Sequence, residues 1–131
     1  MPSSAIEVRR SYSATESAAL LAAVHASLVA AFRIPEDDRA VRYVEHAPEH
    51  STYPPRLTEP DRYTLVTIDC FAGRSNDAKR HLYREIVERL EPLGIPRDHV
   101  KIVIRESDPI NWGILGGHAA TDVDLGFEIE V

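Results

Sequence analysis

Pro2 follows Met1 directly, and an initiator methionine is ordinarily trimmed ahead of a small residue, which leaves a secondary amine at the chain terminus. A free α-amino group titrates near about 7.7, whereas a lysine side chain must be shifted by several units to reach neutrality. Pro2 is therefore a candidate general base, and a neighbouring cation or an apolar setting lowers its pKa further by disfavouring the ammonium form. Arg74 is the second candidate. It stands where a strand-like run ends and Ser75 opens a helix, so its guanidinium and the helix's free N–H groups can converge on one anion. A surface ion pair is the competing role for Arg74. Asp38 follows Pro35 with Asp37 and Arg39; its carboxylate is suited to holding an amine or a water, although acidic residues are also ordinary turn formers there. Trp112 either packs in the core or walls a pocket. Together these residues suit proton transfer on a small carboxylate.

Three other motifs carry less chemistry. His46-Ala-Pro-Glu49-His50 has the order of an inverted zinc-protease motif, but that motif presents its histidines from a helix, which Pro48 disrupts. Gly113-Ile-Leu-Gly116-Gly117 lacks the Lys and Ser or Thr of a phosphate loop, and no helix follows it; a tight turn between the last strands is the reading it supports. Cys70 is the single cysteine, which excludes an internal disulfide, and its strand-like surroundings read as a small buried hydrophobe. No cofactor or metal is expected.

The elements that must position these residues follow from periodicity. Ile6 and Val8 alternate with Ala5, Glu7 and Arg9 as a short strand with Pro2 at its mouth. Ser13-Ala-Thr-Glu16 fits a capping box, and Leu20, Val24, Leu28 and Phe32 recur every four residues, so a helix spans about 14 to 32. The proline-rich stretch from Glu45 to Asp61 is read as a long irregular loop. Tyr63 to Phe71 reads as a buried strand; Ser75 caps a second helix with the stripe Ala78, Leu82, Ile86 and Leu90, stopped by Gly94. Val100, Ile102 and Ile104 mark a third strand. Val123 to Val131 alternates strictly and is expected to be a strand with one wet face, able to pair across a subunit interface.

Ile34-Pro35-x-Asp37 after the first helix returns as Ile95-Pro96-x-Asp98 after the second. The expectation is an α+β fold: a single domain over 1–131 made of two β-α-β halves, about 1–60 and 61–131, with a mixed sheet of four or more strands. Both helices then lie on one sheet face. The other face needs neighbouring subunits to cover it.

The net charge of −6 disfavours nucleic acid and anionic membrane as partners. No stretch is read as a membrane span and the start lacks the apolar core of a secretion signal, so a cytoplasmic protein is expected.

The order of Met1-Pro2, Phe32-x-Ile-Pro-x-Asp-Asp38-Arg39, His46-x-Pro-Glu49-His50, Gly73-Arg74-Ser75-x-x-x-Lys79 and Asn111-Trp112-Gly113 resembles the tautomerase superfamily, most closely its malonate semialdehyde decarboxylase-like branch. The resemblance implies a trimer in which Pro2 is the catalytic amine, Asp38 positions a water or the amine, Arg74 anchors a small carboxylate substrate and Trp112 lines the pocket. In the decarboxylases of the branch a second arginine lies two positions before the one matched by Arg74; here that position is Ala72. One guanidinium fewer weakens stabilisation of developing charge, which turns the expectation towards keto–enol tautomerisation. A decarboxylase or hydratase of a small β-keto acid and a non-catalytic oligomeric binding module are the alternatives.

Overall fold

The computed structural model describes residues 2–131. Its elements run β1 (Ser3–Val8), α1 (Ala14–Phe32), β2 (Val41–Glu45), β3 (Thr64–Phe71), α2 (Asn76–Leu90), β4 (Val100–Ser107), β5 (Gly113–Ile114) and β6 (His118–Ala119), joined by short 3-10 turns. α1 begins where its capping box dictates: the Ser13 side chain accepts from Glu16 N–H at 3.1 Å, and the Glu16 carboxylate accepts from Ser13 N–H at 2.9 Å. It ends at Arg33, whose left-handed backbone (φ 55°) lets its N–H close on the Val29 carbonyl ahead of Ile34-Pro35. Ser75 caps α2 through the Ala78 N–H.

The sheet order is β2-β1-β3-β4. β1 pairs in parallel with β2, and β3 in parallel with β4; the two halves meet where β1 and β3 run antiparallel. This is the duplicated β-α-β arrangement expected, with a mixed sheet. Leu20, Val24, Leu28 and Phe32 of α1 and Leu82, Ile86 and Leu90 of α2 join Ile6, Val8, Val66 and Ile68 in one buried cluster, so both helices cover the same sheet face. The opposite face carries Leu65, Thr67, Val103 and the bidentate Arg105–Asp69 pair, with Val103 37% exposed.

Three expectations are corrected. β2 occupies residues that the sequence reading left outside any strand; it is short, alternates with the charged Arg42 and Glu45, and is made a strand by its register against β1. The segment from Val123 to Val131 keeps its alternation of half-buried and exposed residues but forms no strand. Its apolar side chains are covered by the helix ends instead: Phe127 packs on the core cluster, and Ser75 N–H donates to the Val131 carbonyl at 3.0 Å. α1 is, by length and composition, apolar enough to cross a membrane, which the sequence reading denied for every segment. Much of that apolarity is alanine, and its stripe of larger side chains lies in the core. Arg9, just past the end of β1, is buried and ties down the proline-rich loop: its guanidinium donates to Ser51 Oγ at 2.8 Å and to the Pro48 carbonyl at 2.9 Å.

Candidate active site

Ser3 stands opposite Asp69 in the antiparallel β1–β3 pair, so buried Pro2 lies beside the Cys70–Phe71 end of β3. Asp38 sits in the turn that closes the β1-α1-β2 unit, where its N–H donates to the Pro35 carbonyl at 3.1 Å. Two residues on, the Ala40 carbonyl accepts from Ser4 N–H at 2.9 Å, which brings this turn to the same end of the sheet. Met1, on whose removal the role of Pro2 as an amine depends, lies outside the described residues.

Arg74 arrives from the other half. Leaving β3, the chain turns through Gly73 at φ +136°, a conformation that favours glycine, and places Arg74 immediately before the α2 cap. Its side chain is only 5% exposed. The guanidinium stacks 4.8 Å above the Phe32 ring and 5.9 Å from Phe127, and Nη1 donates to the Phe71 carbonyl at 3.3 Å. Nε and Nη2 are buried and have no partner among the described residues. Buried donors are almost always satisfied, so unpaired guanidinium nitrogens of this kind mark a place for an acceptor. Burial pushes the Arg74 pKa down, against the opposing pull of Cys70 and Glu106. Ser4 Oγ, also fully buried and without a partner among the described residues, is on β1 two residues from Pro2.

Trp112 reaches the same end through β4. Ser107, the last residue of that strand, pairs with Phe71 in register, and its Oγ accepts from Trp112 Nε1 at 2.8 Å. The Trp112 ring then meets Phe71 edge to face, with centroids 5.0 Å apart. Beside it Lys79 Nζ on α2 holds Glu106 Oε1 at 2.6 Å. Burial pushes the Cys70 thiol pKa up, and the thiol points to the helix-covered side of the sheet, as its reading as a buried hydrophobe requires.

The fold thus gathers Pro2, Asp38, Arg74 and Trp112, scattered along the sequence, at one end of the sheet. It adds Phe32, Phe127, Ser4 and Glu106, which sequence reasoning did not assign to a site. Phe32 was legible only as part of the helix stripe and Phe127 only as part of the terminal alternation; Ser4 and Glu106 gave no signal. The His46–His50 motif lies elsewhere. Its first histidine follows β2 and meets Glu7 at 2.8 Å, and Pro48–His50 is a 3-10 turn rather than a helix. Gly116 and Gly117, both at positive φ, turn the hairpin between β5 and β6.

A family model described as "Tautomerase enzyme" matches residues 38–115, more than half of the chain. The chain belongs to the tautomerase family. Among solved structures this tautomerase is similar to FG41 malonate semialdehyde decarboxylase inhibited by 3-bromopropiolate, with 27% identity and a TM-score of 0.80 over 89% of this chain and 92% of that one. A malonate semialdehyde decarboxylase described with decarboxylase and hydratase activities matches at 22% identity, with a TM-score of 0.82 over 93% and 99% of the two chains. Native fused 4-OT matches at 20% identity, with a TM-score of 0.81 over 92% and 98%. The tautomerase fold therefore extends over nearly the whole chain, and the protein is a tautomerase-like enzyme, with decarboxylase-type chemistry as the alternative within the family.

Proposed function

We propose that this chain is a cytoplasmic, homotrimeric keto–enol tautomerase acting on a small 2-oxo or enol carboxylic acid, with Pro2 as general acid and base, Arg74 as carboxylate anchor and Asp38 assisting. The observation that carries the reading is the buried, unpaired pair Nε and Nη2 of Arg74 at the end of the sheet where Pro2 lies. With Met1 removed, Pro2 is a secondary amine. In the ketonising direction it takes the enol O–H proton and delivers it to the carbon at the other end of the enol system, so no proton is gained or lost overall. Arg74 fixes the carboxylate and Trp112, resting on Phe71, limits water at the reacting end. Asp38 orients the amine through its carboxylate.

Replacing Pro2 by Ala is expected to abolish most ketonisation of phenylenolpyruvate, followed by the loss of enol absorbance; unchanged turnover would sink the reading. Intact mass of the purified protein checks that Met1 has left. Trimeric assembly is supported by fused 4-OT structures described as symmetric and asymmetric trimers and by the sheet face that no helix covers.

A second reading, decarboxylation or hydration of a small β-keto acid, is favoured by the 27% identity to a malonate semialdehyde decarboxylase. Protonated Pro2 would then polarise the carbonyl while Asp38 activates water. The pH–rate profile separates the two, because a base must be unprotonated and an acid must carry its proton. Activity that falls as pH drops through the amine's pKa supports the tautomerase; activity that falls as pH rises through it supports the decarboxylase.

A further inference from the structure

A buried guanidinium with free donors attracts any carboxylate within reach, and one such carboxylate belongs to the chain itself. Glu106 lies beside Cys70 in the β3–β4 register, four residues from Arg74 in the strand-to-helix turn, and its charge acts on Arg74. Yet among the described residues Arg74 donates no hydrogen bond to Glu106; its guanidinium donates to the Phe71 carbonyl instead. The Glu106 carboxylate is instead taken by Lys79 Nζ at 2.6 Å. Lys79 stands one turn into α2, where its N–H donates to the Ser75 carbonyl at 3.1 Å, so the cap that sets Arg74 also sets Lys79. Both members of the ion pair are largely shielded, at 21% and 32% side-chain exposure, which limits competition from water and salt.

We propose that Lys79 is a positioning residue that holds Glu106 off the Arg74 guanidinium and so leaves Nε and Nη2 open to the substrate carboxylate. This rests on the reading of Arg74 as the carboxylate anchor. Without the ammonium, Glu106 turns to the nearest unsatisfied cation, and a substrate must compete with a tethered carboxylate at high effective concentration. Binding weakens. Chemistry on the bound substrate does not, because Lys79 touches no reacting atom.

The test uses Lys79→Met, Lys79→Arg and the double variant Lys79→Met with Glu106→Gln, each checked for wild-type circular dichroism. Lys79→Met is expected to raise KM for phenylenolpyruvate about tenfold or more with kcat within about twofold of wild type. Lys79→Arg keeps the ion pair and the wild-type KM. The double variant recovers KM, because the competing carboxylate is gone; an ion pair that only braced the fold would show its loss in the melting temperature and in kcat as well as in KM. The same variants are titrated with pyruvate by fluorescence of Trp112, the single tryptophan, which needs no turnover. If Pro2→Ala leaves turnover unchanged while pyruvate binding follows the pattern above, the tautomerase reading fails and the positioning role stands. If Arg74→Met weakens pyruvate binding and Lys79→Met does not, or the double variant binds as poorly as Lys79→Met, the positioning role is overturned. If Arg74→Met leaves pyruvate binding intact, the anchor and the positioning role fall together.

Discussion

Arg74 is a residue whose surroundings favour binding over stability. Taking a guanidinium out of water is costly unless every donor finds an acceptor, and here the carbonyl of Phe71 answers only part of the fork. Stacking on Phe32 offsets some of the cost without satisfying Nε or Nη2. Arg74→Met is therefore expected to fold with a melting temperature at or above that of wild type while losing about 100-fold in affinity for a carboxylate, the size of a lost charge-assisted, two-pronged contact. Thermal melting and pyruvate titration check the two halves; a melt lowered by many degrees would show that Arg74 is structural. The same variant has a pH consequence under the Pro2 reading. A cation near the amine disfavours the ammonium form and lowers its pKa, so removing Arg74 should move the acid limb of kcat/KM upward, towards the ordinary value of about 7.7. An acid limb that stays in place would show that Arg74 does not act on the amine. Pro2 and Arg74 stand out in the sequence as candidates because each sits at an element boundary with its own local sign, the chain start and the strand-to-cap junction. Ser4 and Glu106 do not, since each matters only through a neighbour from another part of the chain.

At the scale of elements, what the sequence made plain was local and what it hid was not. The α1 capping box, its four-residue stripe and the Ser75 cap are decided within a turn or two, and the helices begin where those signals predict. β2 is decided by pairing with β1 across the whole of α1; Val41 and Tyr43 suit a strand, but five residues with one alternation are too short a signal to fix it. The terminal segment shows the reverse error: a strict alternation that reads as a strand but meets helix ends and Arg74 instead of a neighbouring ladder. Gly73 is where this segment and the site are coupled. A Cβ built there meets Ile129 Cγ2 at 2.8 Å, on a backbone at φ +136° that side chains rarely adopt. Gly73→Ala is expected to destabilise the fold by about 1–3 kcal/mol from strain and to push Ile129 and Phe127 away from Arg74. Chemical denaturation reads the first effect and weakened pyruvate binding the second; an alanine variant as stable as wild type, with unaltered binding, would show that the terminal segment is not seated on this turn.

The whole molecule leaves one sheet face without helices, and that face is neither a solvated surface nor a core. Leu65 and Thr67 lie half-buried on it, Val103 is more than a third exposed, and polar groups there bond to one another, as in the Arg105–Asp69 ion pair and in the Arg42 guanidinium donating to Ser3 Oγ at 2.7 Å. A face of apolar side chains framed by satisfied polar groups is what a subunit contact requires. β2 and β4, at the two sheet edges, also keep ladder groups that a neighbouring chain can pair. Trimer formation is then expected to depend on this face, and Val103→Asp separates assembly from folding. Because Val103 is already partly exposed in the single chain, a carboxylate there should cost the monomer little, within about 1 kcal/mol of an ordinary surface change. Buried between subunits, it must either be desolvated or break the contact, at several kcal/mol. Native mass spectrometry at micromolar concentration should give a trimer for wild type and a monomer for Val103→Asp, with circular dichroism unchanged. A wild-type monomer removes the trimer; a trimeric Val103→Asp protein moves the subunit contact off this face, and with it the reason for the face's composition.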